Sequence, residues 1–97
     1  MAFEIVWTPR AQKGFEEIVR YLHDNFTERE VENFLNQADD FFKVLSESPE
    51  ILQQSAKLKN TRRGPINPLT KVTYRVKPRR KPIQLIDIRS TRKRPFS

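Results

Sequence analysis

A small α+β domain is the fold this chain predicts: an N-terminal strand, then an antiparallel helical hairpin packed on one face of a mostly antiparallel sheet of about four strands. Three observations predict it. Phe3, Ile5 and Trp7 alternate with Glu4 and Val6, the period of two that marks a strand with one face on a core. From Ala11 to Leu45 the apolar residues recur at spacings of three and four, the stripe of helices that bury one side. Past Glu50 the chain returns to short runs with the alternation of strands, punctuated by Pro and Asn. At 97 residues it has room for one modest core, so residues 1–97 are read as a single domain.

Each element has its own signals. Thr8-Pro9 ends the first strand and opens a helix, Thr as the cap and Pro at the first helical position, where its missing N–H is not needed. Ala11, Phe15, Ile18, Val19 and Leu22 then mark one face of a helix reaching about Asp24. Thr27 reads as the cap of a second helix, with Glu30 completing a capping box and Phe26 stapling onto Val31. That helix runs through Phe34, Ala38 and Leu45 and stops before Ser48-Pro49, because proline disfavours helix in its predecessor. The adjacent Phe41 and Phe42 cannot both point straight into one core, so one is expected at its flank or against a partner. Residues 51–60 read as a polar connection. Strands follow near Thr61 to Ile66, at Lys71 to Lys77 and at Ile83 to Arg89, with turns at Asn67-Pro68 and at 78–82. In the middle one, Val72, Tyr74 and Val76 share a face while Lys71, Thr73, Arg75 and Lys77 share the other. The first strand is expected to pair with a C-terminal one, since no local edge is available to it.

Charge is sorted along the chain. From Lys57 onward fourteen Lys and Arg stand against a single acid, Asp87, whereas the first fifty-six residues hold five basic and eleven acidic side chains; the whole carries +7. A basic half on an otherwise acidic protein is the footprint of a surface that meets phosphate or an acidic protein segment. Cysteine is absent and His23 is the one histidine, which excludes disulfide scaffolds and thiolate zinc sites and leaves no cofactor or metal to be expected. No apolar stretch approaches the roughly 20 residues of a membrane span, so a cytoplasmic protein is expected.

The order of elements, together with Thr8-Pro9-Arg10-Ala11, the hairpin ending in Ser48-Pro49, Lys59-Asn60-Thr61-Arg62-Arg63, Val72-Thr73-Tyr74-Arg75-Val76 and Asp87-Ile88-Arg89-Ser90-Thr91-Arg92, resembles the RelE/ParE superfamily of toxins from type II toxin–antitoxin systems. The resemblance covers nearly the whole chain. It implies the toxin half of such a pair, checked by an antitoxin whose flexible acidic tail folds over the basic face. For the ribonuclease branch, which cuts messenger RNA in the ribosomal A site, it implies Arg62, Lys71 and Arg92 as the cations that stabilise charge developing on phosphate. The Tyr or His that this branch carries near its C-terminus has no counterpart, because only Lys93, Arg94, Pro95, Phe96 and Ser97 follow Arg92. Loss of that group is similar to the ParE branch, known from plasmid stabilisation, whose members poison DNA gyrase. A nucleic-acid-binding module that has kept the fold is the third reading.

The target-binding surface is therefore expected at Arg62, Arg63, Lys71, Arg75, Arg89, Arg92, Lys93 and Arg94, with no catalytic residue singled out outside the ribonuclease reading. His23, beside Asp24 on the first helix, reads as a solvated surface residue. Asp87 reads as the partner of a neighbouring arginine. Tyr74 reads as a core residue.

Overall fold

The structure, a computed structural model, describes residues 3–76 and 82–91. Strand β1 (Ile5–Trp7) leads into helix α1 (Pro9–Asn25) and helix α2 (Glu28–Glu47), followed by β2 (Thr61–Asn67), β3 (Thr70–Val76) and β4 (Ile83–Ser90). The four strands form one sheet in the order β1-β4-β3-β2. β2, β3 and β4 pair antiparallel and β1 joins β4 in parallel, with Ile5 beside Ile83 and Trp7 beside Leu85. The expected α+β architecture and the pairing of the first strand with the last are thus both present. Among the described residues no helix is long and apolar enough to cross a membrane.

Thr8 fastens the helical layer to the sheet. Its Oγ1 accepts from the Ala11 amide at 3.2 Å, capping α1, and donates to the Leu85 carbonyl at 2.7 Å. The second helix begins differently from the expectation. Thr27 makes no side-chain capping bond; the Glu30 and Val31 amides donate to its carbonyl instead, and Glu28 and Glu30 supply negative charge to the first turn, where the helix dipole favours it. Phe26 packs edge-on against Tyr21, ring centroids 6.0 Å apart.

The core lies between the helices and one face of the sheet. Ala11, Leu45, Val72, Tyr74, Ile83, Leu85 and Ile88 are fully buried there, each large apolar side chain contributing about 2 kcal/mol. Trp7 packs edge-on against both Phe15 and Phe42 at 5.3 Å. Phe41 and Phe42 are in ring contact and both half-buried against this cluster, so both flank the core.

A β-bulge sets the phase of β4. Thr73 pairs with Asp87 but Tyr74 pairs with Leu85, leaving Ile86 as the extra residue. Ile83, Leu85 and Ile88 consequently all face the helices although strict alternation would turn Ile88 outward. Asp87 turns away from the core for the same reason. Beyond Leu85, β4 has outrun β1, and α1 takes over that edge. Gly14 approaches so closely that a Cβ in its place would collide with the Ile88 carbonyl. At the other edge β2 is partly covered by the preceding segment, the Arg63 amide donating to the Gln53 carbonyl at 3.1 Å and the Ser55 amide to the Thr61 carbonyl at 2.7 Å. Pro65, farther along, offers no N–H to a stray strand.

Candidate functional site

Register decides which cations stand together. Residues directly opposite in an antiparallel ladder share a face, with Cβ atoms about 5 Å apart. On the face away from the helices, Lys71 therefore lies between Pro65 and Arg89, Thr73 between Arg63 and Asp87, and Arg75 between Thr61 and Gln84. Arg63, Lys71, Arg75 and Arg89 are all exposed. Arg63, Lys71 and Arg75 have no carboxylate within ion-pair distance among the described residues.

Lys71 directly opposite Arg89 is an unfavourable arrangement for a sheet, since like charges facing across strands destabilise the pair. Asp87 offsets part of this. Arg89 Nε donates to its Oδ2 at 2.8 Å, and Arg10 Nε, from the first turn of α1, lies 3.5 Å from its Oδ1. The Asp87 side chain is 18% exposed and those of Arg89 and Arg10 are 64% and 70% exposed, so solvent screens both pairs to at most about 1 kcal/mol each. Their effect is chiefly positional: Asp87 holds Arg89 beside Lys71 where the open face meets the helical layer. The expected arginine partner of Asp87 is found, and with it a second one that sequence reasoning did not select.

Arg62 stands elsewhere. It pairs with Tyr74 and so belongs to the helix-side face, half-buried, its Nη1 donating to the Leu52 carbonyl at 2.7 Å. Tyr74 is fully buried and its hydroxyl donates to the Pro49 carbonyl at 2.6 Å. Burial pushes the phenol above its ordinary value, so it keeps its proton and serves as a donor. Together the two side chains clamp residues 49–52 onto the sheet. Of the three cations implied for phosphate chemistry, Arg62 and Lys71 are on opposite faces, and Arg92 lies outside the described residues with Lys93 and Arg94.

His23 is exposed near the end of α1, 3.6 Å from Asp24, in the helical layer. Among the described residues the open face carries no Tyr, His, Phe or Trp, and no three His, Asp or Glu side chains gather as a metal site would need. A groove bounded by α1, α2 and residues 67–70 runs up to Asp87 and Arg89, with Ile18, Phe34 and Ile88 along it and Tyr21 and Leu69 exposed on its walls.

Comparison with known proteins adds to this geometry. The family model described as the ParE toxin of the type II toxin–antitoxin system parDE matches residues 5–95. No curated protein matches the chain. Among solved structures, the chain is similar to the YoeB dimer from Staphylococcus aureus at 16% sequence identity and a TM-score of 0.58, over 92% of this chain and 97% of that one. At that identity the likeness concerns the fold.

Proposed function

The chain belongs to the ParE toxin family of type II toxin–antitoxin systems, and from that premise we propose that it inhibits growth by binding DNA gyrase in the cytoplasm through the open face of its sheet. One observation carries this reading. The open face presents Arg63, Lys71, Arg75 and Arg89, and the one carboxylate on its strands among the described residues, Asp87, is engaged by Arg10 and Arg89, so it is not free to act as a base. Positioned acid–base groups typically supply about 10² to 10⁴-fold in rate. A face of cations with no free carboxylate, Tyr or His among the described residues is suited to holding an anionic surface and poorly suited to cleaving a phosphodiester.

The same charge explains the need for an antitoxin. An acidic, flexible tail is drawn to the cations of the open face, and its apolar residues have a place in the groove beside Tyr21 and Leu69. Controlled expression in the host, with and without the antitoxin, tests the target. A DNA-damage response without rapid messenger decay is the expected outcome. Prompt cleavage of messenger RNA at the ribosomal A site would overturn it in favour of a RelE-like ribonuclease.

A further inference from the structure

Residues 55–60 form a turn at the end of the sheet where β2 begins and β3 ends. Ser55 Oγ accepts from the amides of Lys57 and Leu58, each at 3.2 Å. Thr61, fully buried, donates its hydroxyl to the Lys59 carbonyl at 3.1 Å. Asn60 adopts a left-handed φ of 58°, and its carbonyl accepts from the Val76 amide at 3.3 Å. With the Ser55 amide bonded to the Thr61 carbonyl at 2.7 Å, both ends of the turn are fixed to the sheet. A turn fixed in this way presents its side chains to a partner with little ordering left to do.

What it presents is Leu58, 55% exposed, the highest value among the large apolar side chains of the described residues. Lys57 and Lys59 flank it, and neither has a carboxylate within ion-pair distance among those residues. Arg75 stands at the same end of the sheet, paired with Thr61. Leu58 takes no part in the core, so the fold itself gives no reason for an apolar side chain between two lysines.

We propose that this turn is a contact element for the toxin's target, in which Leu58 enters an apolar pocket on an acidic protein surface while Lys57, Lys59 and Arg75 meet carboxylates around it. The inference rests on the open face being the target-binding face and extends that face beyond its strands. A protein partner fits better than a nucleic acid for two reasons. The open face has no aromatic side chain, among the described residues, on which bases would stack. A leucine on a turn fills a protein pocket directly, whereas as a wedge in DNA it would need the duplex to unstack and kink.

The test expresses four forms without antitoxin from a titratable promoter: the natural chain, Leu58→Ser, Lys71→Ala, and Val44→Ser as a control on the helical layer, where Val44 is 51% exposed. Soluble amount and Tm are measured for each, together with binding to a fluorescein-labelled single-stranded oligonucleotide by anisotropy. Leu58→Ser, with unchanged Tm, is expected to require about tenfold more protein for equal growth inhibition, as loss of an interface anchor does. Val44→Ser should match the natural chain, and oligonucleotide binding should be the same for Leu58→Ser as for the natural chain. Full potency of Leu58→Ser beside a weakened Lys71→Ala would refute the turn's role and leave the face intact. Full potency of both would remove the face reading and this inference with it. A tenfold loss of oligonucleotide binding in Leu58→Ser would replace the protein partner with a nucleic acid.

Discussion

The two faces of the sheet are built to opposite rules. On the helix side every described buried side-chain polar atom is satisfied, and even the half-buried cation Arg62 is tied to a backbone carbonyl. On the open side Lys71 faces Arg89 across adjacent strands, and among the described residues Asp87 is the one acid on the strands to offset four exposed cations. The first arrangement follows from what folding requires, since an unpaired polar group in the core costs about 1–3 kcal/mol. The second works mildly against folding, which is the mark of a surface selected for what it meets. The difference teaches that a substitution's effect should depend more on the face it falls on than on the residue type it removes.

Gly14→Ala breaks the closed side most severely. In an ordinary helix interior this change stabilises by about 1 kcal/mol through helix propensity. Here the new methyl group would meet the Ile88 carbonyl, backbone against backbone, so α1 must lift from the edge of β4. A net loss of about 3 kcal/mol is expected in urea unfolding. A gain in stability would mean that α1 does not cover this edge.

Tyr74→Phe comes next. The Pro49 carbonyl loses its donor, and about 2 kcal/mol should go with it. The phenol also gives the closed face a pH dependence. Its pKa is raised in the fold above the ordinary 10.0, so the neutral form is the one the structure holds. The contribution is whole below pH 10.0 and is lost as pH rises through the elevated folded value. Urea midpoints of the natural chain should fall more steeply than those of Tyr74→Phe in that alkaline range; parallel curves would show that the phenol is free to ionise.

Much of this contrast is written in the sequence, and the part that is not has definite causes. Strand alternation at Phe3 to Trp7 and at Val72 to Val76, the Thr8-Pro9 helix start and the Pro49 stop all act over a few residues, so they read directly. Arg62 and Arg63 show the limit. Both are expected from sequence on the target-binding surface, although adjacent strand residues must point to opposite faces, and which of them joins the core side depends on the register of β2 against β3. That register is tertiary, and the Gly64-Pro65 interruption leaves β2 no alternation of its own to reveal it. The bulge at Ile86 does leave a trace, because apolar residues at 83 and 85 followed by 86 and 88 break the period of two. Gly14 leaves one too: a glycine inside a strong helical pattern points to a close backbone contact. Arg10 leaves none, since its meeting with Asp87 is made only by the packing of α1 on β4.

The two neighbouring arginines sharpen the comparison further. Arg62→Ala removes the donor to the Leu52 carbonyl and loosens residues 49–52, so a loss of about 1 kcal/mol in unfolding free energy is expected. Arg63→Ala takes an exposed cation from the open face and should stay within about 0.5 kcal/mol of the natural chain while lowering growth inhibition. Equal destabilisation by the two would erase the distinction between the faces at this strand.

The smallest effect on stability is the most discriminating in sign. Lys71→Ala leaves Arg89 without a like charge opposite, so unfolding free energy should stay level or rise by about 0.2–0.5 kcal/mol, although a long exposed side chain has been deleted. Exposed charges are screened, so the gain should shrink as salt is raised over the range in which the Debye length falls from about 10 Å to about 3 Å. In an Asp87→Asn background, where Arg89 has lost its nearest carboxylate, removing Lys71 should stabilise by more than it does in the natural chain. Growth inhibition should fall in the same Lys71→Ala protein. Opposite movement of stability and potency at one residue is what a surface kept for a partner produces, whereas a lysine retained for solubility or packing would move neither or lower both.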